Sequence, residues 1–69
     1  MRREHLDSSC VRSAGYDPAE GELEVEFVGG SVYRYLAVPE PVYRALLAAE
    51  SHGRYLNREI KGRYGYRRI

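Results

Sequence analysis

The sequence has no tryptophan, one phenylalanine, one methionine and one cysteine in 69 residues. With Cys10 alone, no internal disulfide can form, and four-cysteine or two-cysteine-two-histidine zinc sites are excluded. The two histidines, His5 and His52, and the scattered acids show no metal-ligand spacing, so neither metal nor cofactor is expected. No run approaches the ~20 apolar residues of a membrane span. The opening Met1-Arg2-Arg3-Glu4-His5-Leu6 lacks the apolar stretch of a signal peptide. These absences point to a soluble, cytoplasmic module with no membrane partner. A thiol nucleophile would need a base within hydrogen-bond reach and an oxyanion site. Nothing around Cys10 supplies them, so no catalytic residue is assigned and the chain reads as nonenzymatic.

What is present is charge asymmetry. Residues 51–69 hold six of the eleven basic residues and one acid, Glu59. Residues 1–50 hold five basic residues and nine acids. A formal net charge of +1 therefore hides a dipolar protein. Tyrosines are interleaved with the arginines of the basic end, a pattern that points to a partner. The length fits one domain, residues 1–69, with a core over about residues 8–62 and flexible flanks at 1–7 and 63–69. A core this small seldom yields more than ~3–5 kcal/mol, so a partner would help it.

The clearest strand is Glu22 to Phe27, where acids and apolar residues alternate strictly. A weaker strand is expected over Ser8 to Ala14, followed by turn chemistry from Gly15 to Gly21. Gly29-Gly30 marks a hairpin returning through Ser31 to Val38. A two-residue loop would set Val25 opposite Arg34. A three-residue bulged loop would set Glu24, or else Glu26, opposite Arg34, with Tyr33 and Tyr35 on the Leu23/Val25/Phe27 face. The bulged register is preferred because it buries rings and pairs charges. Pro41 suits the first turn of a helix running to Glu50. Ser51 can cap a second helix over about Gly53 to Lys61, with Gly62 as its stop. The expected fold is α+β: a three-stranded antiparallel meander followed by two helices on one sheet face (β-β-β-α-α). Its core would be Leu23, Val25, Phe27, Leu36, Val38, Val42, Leu46, Leu47, Leu56 and Ile60.

An ordered set of residues carries a family resemblance. It begins with Ser8-Ser9, Gly15-Tyr16-Asp17 and the strand positions Leu23, Val25 and Phe27. Gly30, Tyr33-Arg34-Tyr35, Val38-Pro39 and Val42-Tyr43 follow. Leu46, Ala49, Ser51-His52-Gly53, Tyr55-Leu56-Asn57, Ile60-Lys61 and Tyr64 complete it. Over residues 8–66 the chain resembles the KTSC domain, found at the C-terminus of some lysyl-tRNA synthetases and as a stand-alone bacterial protein. Leu56 departs from the pattern, which usually has phenylalanine there. The resemblance implies a shared fold and little about chemistry. The attachment to tRNA synthetases is consistent with RNA contact.

The leading reading is a small RNA-binding module, its ligand tRNA-like or single-stranded. Arg54, Arg58 and Lys61, spaced i, i+4 and i+7 on the second helix, would contact phosphates together with Arg63, Arg67 and Arg68. Tyr64 and Tyr66 would stack on bases, with Arg34 and Tyr35 adding contacts from the sheet. The structural alternatives are a solvated helix face, a tail neutralising Glu22, Glu24 and Glu26, and tyrosines packed beneath the helices. The rival function is a protein-interaction or weakly homodimeric assembly module, with the acidic sheet and basic tail as complementary surfaces.

Overall fold

The computed structural model describes residues 2–69. It is α+β, as expected, but its antiparallel sheet has five strands rather than three, in the order β1-β2-β3-β4-β5. The strands are β1 (Arg3–His5), β2 (Val11–Asp17), β3 (Glu22–Phe27), β4 (Val32–Tyr35) and β5 (Tyr66–Arg68). Helices α1 (Glu40–Ala48) and α2 (His52–Tyr55) lie between β4 and β5. The two added strands are the sheet edges. Every residue of β1 and β5 is exposed, so neither carries a hydrophobic alternation. Their backbone hydrogen bonds to β2 and β4 define them, and such pairing leaves no mark in a polar sequence.

Strand β2 also runs further than expected. Gly15, Tyr16 and Asp17 pair with Glu24, Leu23 and Glu22. The turn begins only after Asp17, whose Oδ1 accepts the backbone N–H groups of Ala19 and Glu20. Position 15 takes glycine because the neighbouring chain at the start of β1 approaches it closely. A Cβ there would lie 2.5 Å from the Arg2 carbonyl oxygen and 2.8 Å from Arg3 Cγ. At the other end of β2 the register slips. Val11 pairs with Phe27 but Ser13 with Glu26, so Arg12 is the extra residue of a bulge. The bulge turns Val11 into the core and Ser13 to the opposite face, where its hydroxyl donates to Glu26 at 3.0 Å.

The β3–β4 hairpin adopts the bulged register. Glu24 faces Arg34, Val25 faces Tyr33 and Leu23 faces Tyr35. Val28, Gly29 and Gly30 form the loop, closed by the Phe27 N–H on the Ser31 carbonyl at 2.8 Å. Both glycines have positive φ, 113° and 102°, which accounts for the pair of them. Strand β4 ends at Tyr35, earlier than expected, and the chain turns through Ala37, whose φ is 55°.

Proline lies in the first turn of α1, and Ser51 Oγ caps α2 by accepting the Arg54 N–H. The second helix does not stay α-helical. From Leu56 to Ile60 it is a π-helix, sealed by the Lys61 N–H on the Leu56 carbonyl at 2.8 Å. Gly62 follows with φ 81°. The core lies between the helices and one sheet face: Val11, Ala14, Leu23, Val25, Tyr35, Val38, Leu46, Leu56 and Ile60. Phe27, Leu36, Val42 and Leu47, expected within it, are only half-buried. Val11, Ala14 and Tyr35 take their share because β2 and β4 lie more centrally than their sequences suggested.

Candidate functional site

The sheet register sorts the polar and aromatic residues onto opposite faces. Away from the helices, Arg3, Gly15, Glu24, Arg34 and Arg67 stand in one row across all five strands. With no side chain on Gly15, Arg3 reaches over it to Glu24 at 3.2 Å and Glu26 at 3.7 Å. Arg34 lies between Glu24 at 2.6 Å and Glu22 at 3.4 Å, and Arg67 approaches Glu22 at 3.9 Å. The hydrogen bond from Arg34 to Glu24 raises the Arg34 pKa above its ordinary value, against the opposing effect of desolvation. Glu22, Glu24 and Glu26 are thus matched by cations within the domain. This face is an ion-pair network, with Arg34 Nε left buried and without a hydrogen-bond partner among the described residues.

The other face carries rings at its open edge. Phe27, Tyr33, Tyr35 and Tyr66 all point this way, as their register demands. Phe27 meets Tyr33 edge-on, with centroids 5.5 Å apart. Tyr66 stacks on Tyr33 at 5.3 Å with 10° between the planes, and lies 5.8 Å from Tyr35. These four residues, with Ser31, Lys61 and Gly62, line a groove of about 590 Å³. Tyr66 is 58% exposed, whereas Tyr35 is 1% exposed and lies at the groove's inner side. Burial, and secondarily the neighbouring Tyr33 and Tyr66, push the Tyr35 phenol pKa up. Its hydroxyl is buried without a hydrogen-bond partner among the described residues.

A sequence model of the KTSC domain matches residues 7–64. The chain belongs to the KTSC domain family. This KTSC domain is 53% identical over 70 residues to an uncharacterised protein of Stutzerimonas stutzeri, covering 100% of this chain and 99% of that one. It is 35% identical over 63 residues to a lysine–tRNA ligase of a Nostoc species, covering 91% of the domain but only 11% of the ligase. In three dimensions it is similar to the crystal structure of a KTSC domain protein from Yersinia pestis. The TM-score is 0.94 at 39% identity, over 99% of this chain and 96% of the other.

The residues singled out from the sequence fall into three places on the KTSC domain. Arg34 and Arg67 belong to the ion-paired face, on the opposite side of the sheet from Tyr35 and Tyr66. Arg54 and Arg58 border a separate depression beside Ala45 and Ala48, where Arg58 also pairs with Glu59 at 3.1 Å. Arg63 donates to the Arg58 carbonyl. Lys61 does not continue their stripe. The i→i+5 turn is wider than an α-turn, and Lys61 itself is extended, so it lines the aromatic groove instead. Arg68 reaches the groove's rim by donating to Ser31 Oγ at 3.3 Å. Tyr64 packs half-buried against the core, away from the role expected for it beside Tyr66. Phe27 and Tyr33 complete the groove and were absent from the sequence-derived set. The signal for them was the bulged hairpin register, which already put them on the Tyr35 face.

Proposed function

We propose that this KTSC domain is a nonenzymatic cytoplasmic module that binds single-stranded RNA in the aromatic groove, with Lys61 and Arg68 holding the phosphates. The observation carrying this reading is the half-exposed Tyr66 ring, stacked on Tyr33 beside a lysine. Single strands are bound by such a combination of ring faces and cations. The neutralised sheet face supports it as well, because Glu22, Glu24 and Glu26 do not present a bare acidic surface to a polyanion. The same pairing weighs against the rival assembly reading, which needs that acidic face free for the basic tail of a second copy. The match to part of a lysine–tRNA ligase agrees with a role near RNA.

Fluorescence anisotropy of labelled single-stranded and hairpin RNAs, titrated at two salt concentrations, tests this. The expected result is micromolar binding that weakens with salt and prefers the single strand. Tyr66→Ala should remove roughly 1–3 kcal/mol of affinity. Absence of binding at low salt would sink the proposal. Sedimentation of the same samples would then ask whether the domain self-associates instead.

A further inference from the structure

Among the described residues two buried side-chain atoms lack a hydrogen-bond partner, Arg34 Nε and the Tyr35 hydroxyl, and only the second belongs to a residue lining the groove. The Tyr35 ring is fully buried, yet its oxygen has no partner among the described residues. Buried hydroxyls are normally bonded, and an orphan carries an uncompensated desolvation penalty. The fold can satisfy a packed tyrosine: the Tyr16 hydroxyl donates to the Val38 carbonyl. Around Tyr35 the groove offers rings, and Lys61 is the one charged side chain lining it among the described residues. A ligand that complements this site is planar, to lie against Tyr33 and Tyr66. It has a hydrogen-bonding edge to reach Tyr35, and it carries an anion for Lys61. A nucleotide has all three features, whereas a free aromatic cation would be repelled by the lysine. The volume of about 590 Å³ lies within the roughly 300–1,000 Å³ usual for small-ligand sites.

We infer that the groove seats one unpaired base, and that the Tyr35 hydroxyl reads that base's edge. This rests on the RNA-contact reading above and adds to it a single specificity-determining atom. Tyr66 controls access. Its ring lies against both Tyr33 and Tyr35 from an exposed edge strand, so it has to turn aside for a base to reach Tyr35. A phenol with an ordinary pKa of 10.0 is protonated at neutral pH, so the Tyr35 hydroxyl can both donate and accept.

The test compares wild type with Tyr35→Phe, which keeps the ring and deletes the oxygen. Labelled oligo(A), oligo(C) and oligo(U) RNAs of equal length are titrated against both. Wild type should prefer one base by about three- to tenfold, and the variant should lose that preference while still binding RNA. An abasic nucleotide placed in the preferred oligomer should weaken wild-type binding, a readout that needs no variant. The variant's own Tm should hold or rise, by about 4–8 °C if the orphan is fully relieved. An unchanged preference in Tyr35→Phe, equal binding of all three oligomers by wild type, or a fall in the variant's Tm overturns the inference and leaves RNA binding standing. Failure of wild type to bind any oligomer overturns the RNA reading, and this inference with it.

Discussion

Glu24 lies directly opposite Arg34 across the β3–β4 pair, with its carboxylate 2.6 Å from the guanidinium and Arg3 closing on it from the other side at 3.2 Å. Only 8% of Glu24 is exposed. Glu24→Ala leaves both arginines facing each other without the acid between them, and should cost about 1–3 kcal/mol in urea unfolding. The Glu40–Arg44 pair on the outside of α1 is the control: it is well exposed, and Glu40→Ala should cost less than about 0.5 kcal/mol.

Gly15 is held by proximity. A methyl group there meets the main chain of Arg2, which cannot swing aside as a side-chain end would. Gly15→Ala should therefore lift β1 from β2 and destabilise the domain by roughly 1–3 kcal/mol. Hydrogen exchange should show the Glu4 and Leu6 amides, which bond to β2, exchanging faster in the variant than in wild type while those of β3 stay unchanged.

Alkali should unfold the domain more readily than neutral buffer. Burial first, then Tyr33 and Tyr66, raises the Tyr35 pKa above its ordinary 10.0; burial first, then Glu4, raises that of Tyr43. Above pH ~10 the unfolded chain gives up protons that the folded one retains, so stability is full below that pH and declines as pH rises through the folded-state values. Denaturant midpoints measured across this range should fall. In Tyr43→Phe the fall should be shallower.

The basic residues should separate in RNA titrations. Lys61→Ala should weaken binding and reduce the slope of log affinity against log salt by about one. Arg67→Ala, on the ion-paired face, should leave both unchanged.

Much of this was legible beforehand. The alternation in Glu22–Phe27, the Gly29-Gly30 pair and the charge match of Glu24 with Arg34 led to the right hairpin register, and with it to the face on which Tyr33 and Tyr35 lie. Pro41 and Ser51 placed the helix starts within a residue or two. Three features escaped. The edge strands are polar and exist through their neighbours' backbones. Gly15, beside Asp17-Pro18, looks like turn chemistry because the approach of Arg2 is a tertiary fact. Lys61 looks like the third residue of an α-helical stripe because a 3.6-residue period does not anticipate the switch to i→i+5 bonding at Leu56. Hence Tyr35, Lys61 and Tyr66 were each noticed, but that they meet in one groove depended on pairing the sequence does not advertise.

Because Tyr66 stands on a strand of three exposed residues, one wall of the groove and the last pair of the sheet are the same object. Flanking bonds from Leu36 to Gly65 and from Ile69 to Val32 fasten that strand. Such an edge can open locally at far lower free energy than the domain unfolds. The groove can thus come apart and reform while the core of Leu23, Val25, Leu46 and Ile60 stays folded. A bound ligand would then register as slowed amide exchange in residues 65–69 before it altered the melting of the whole.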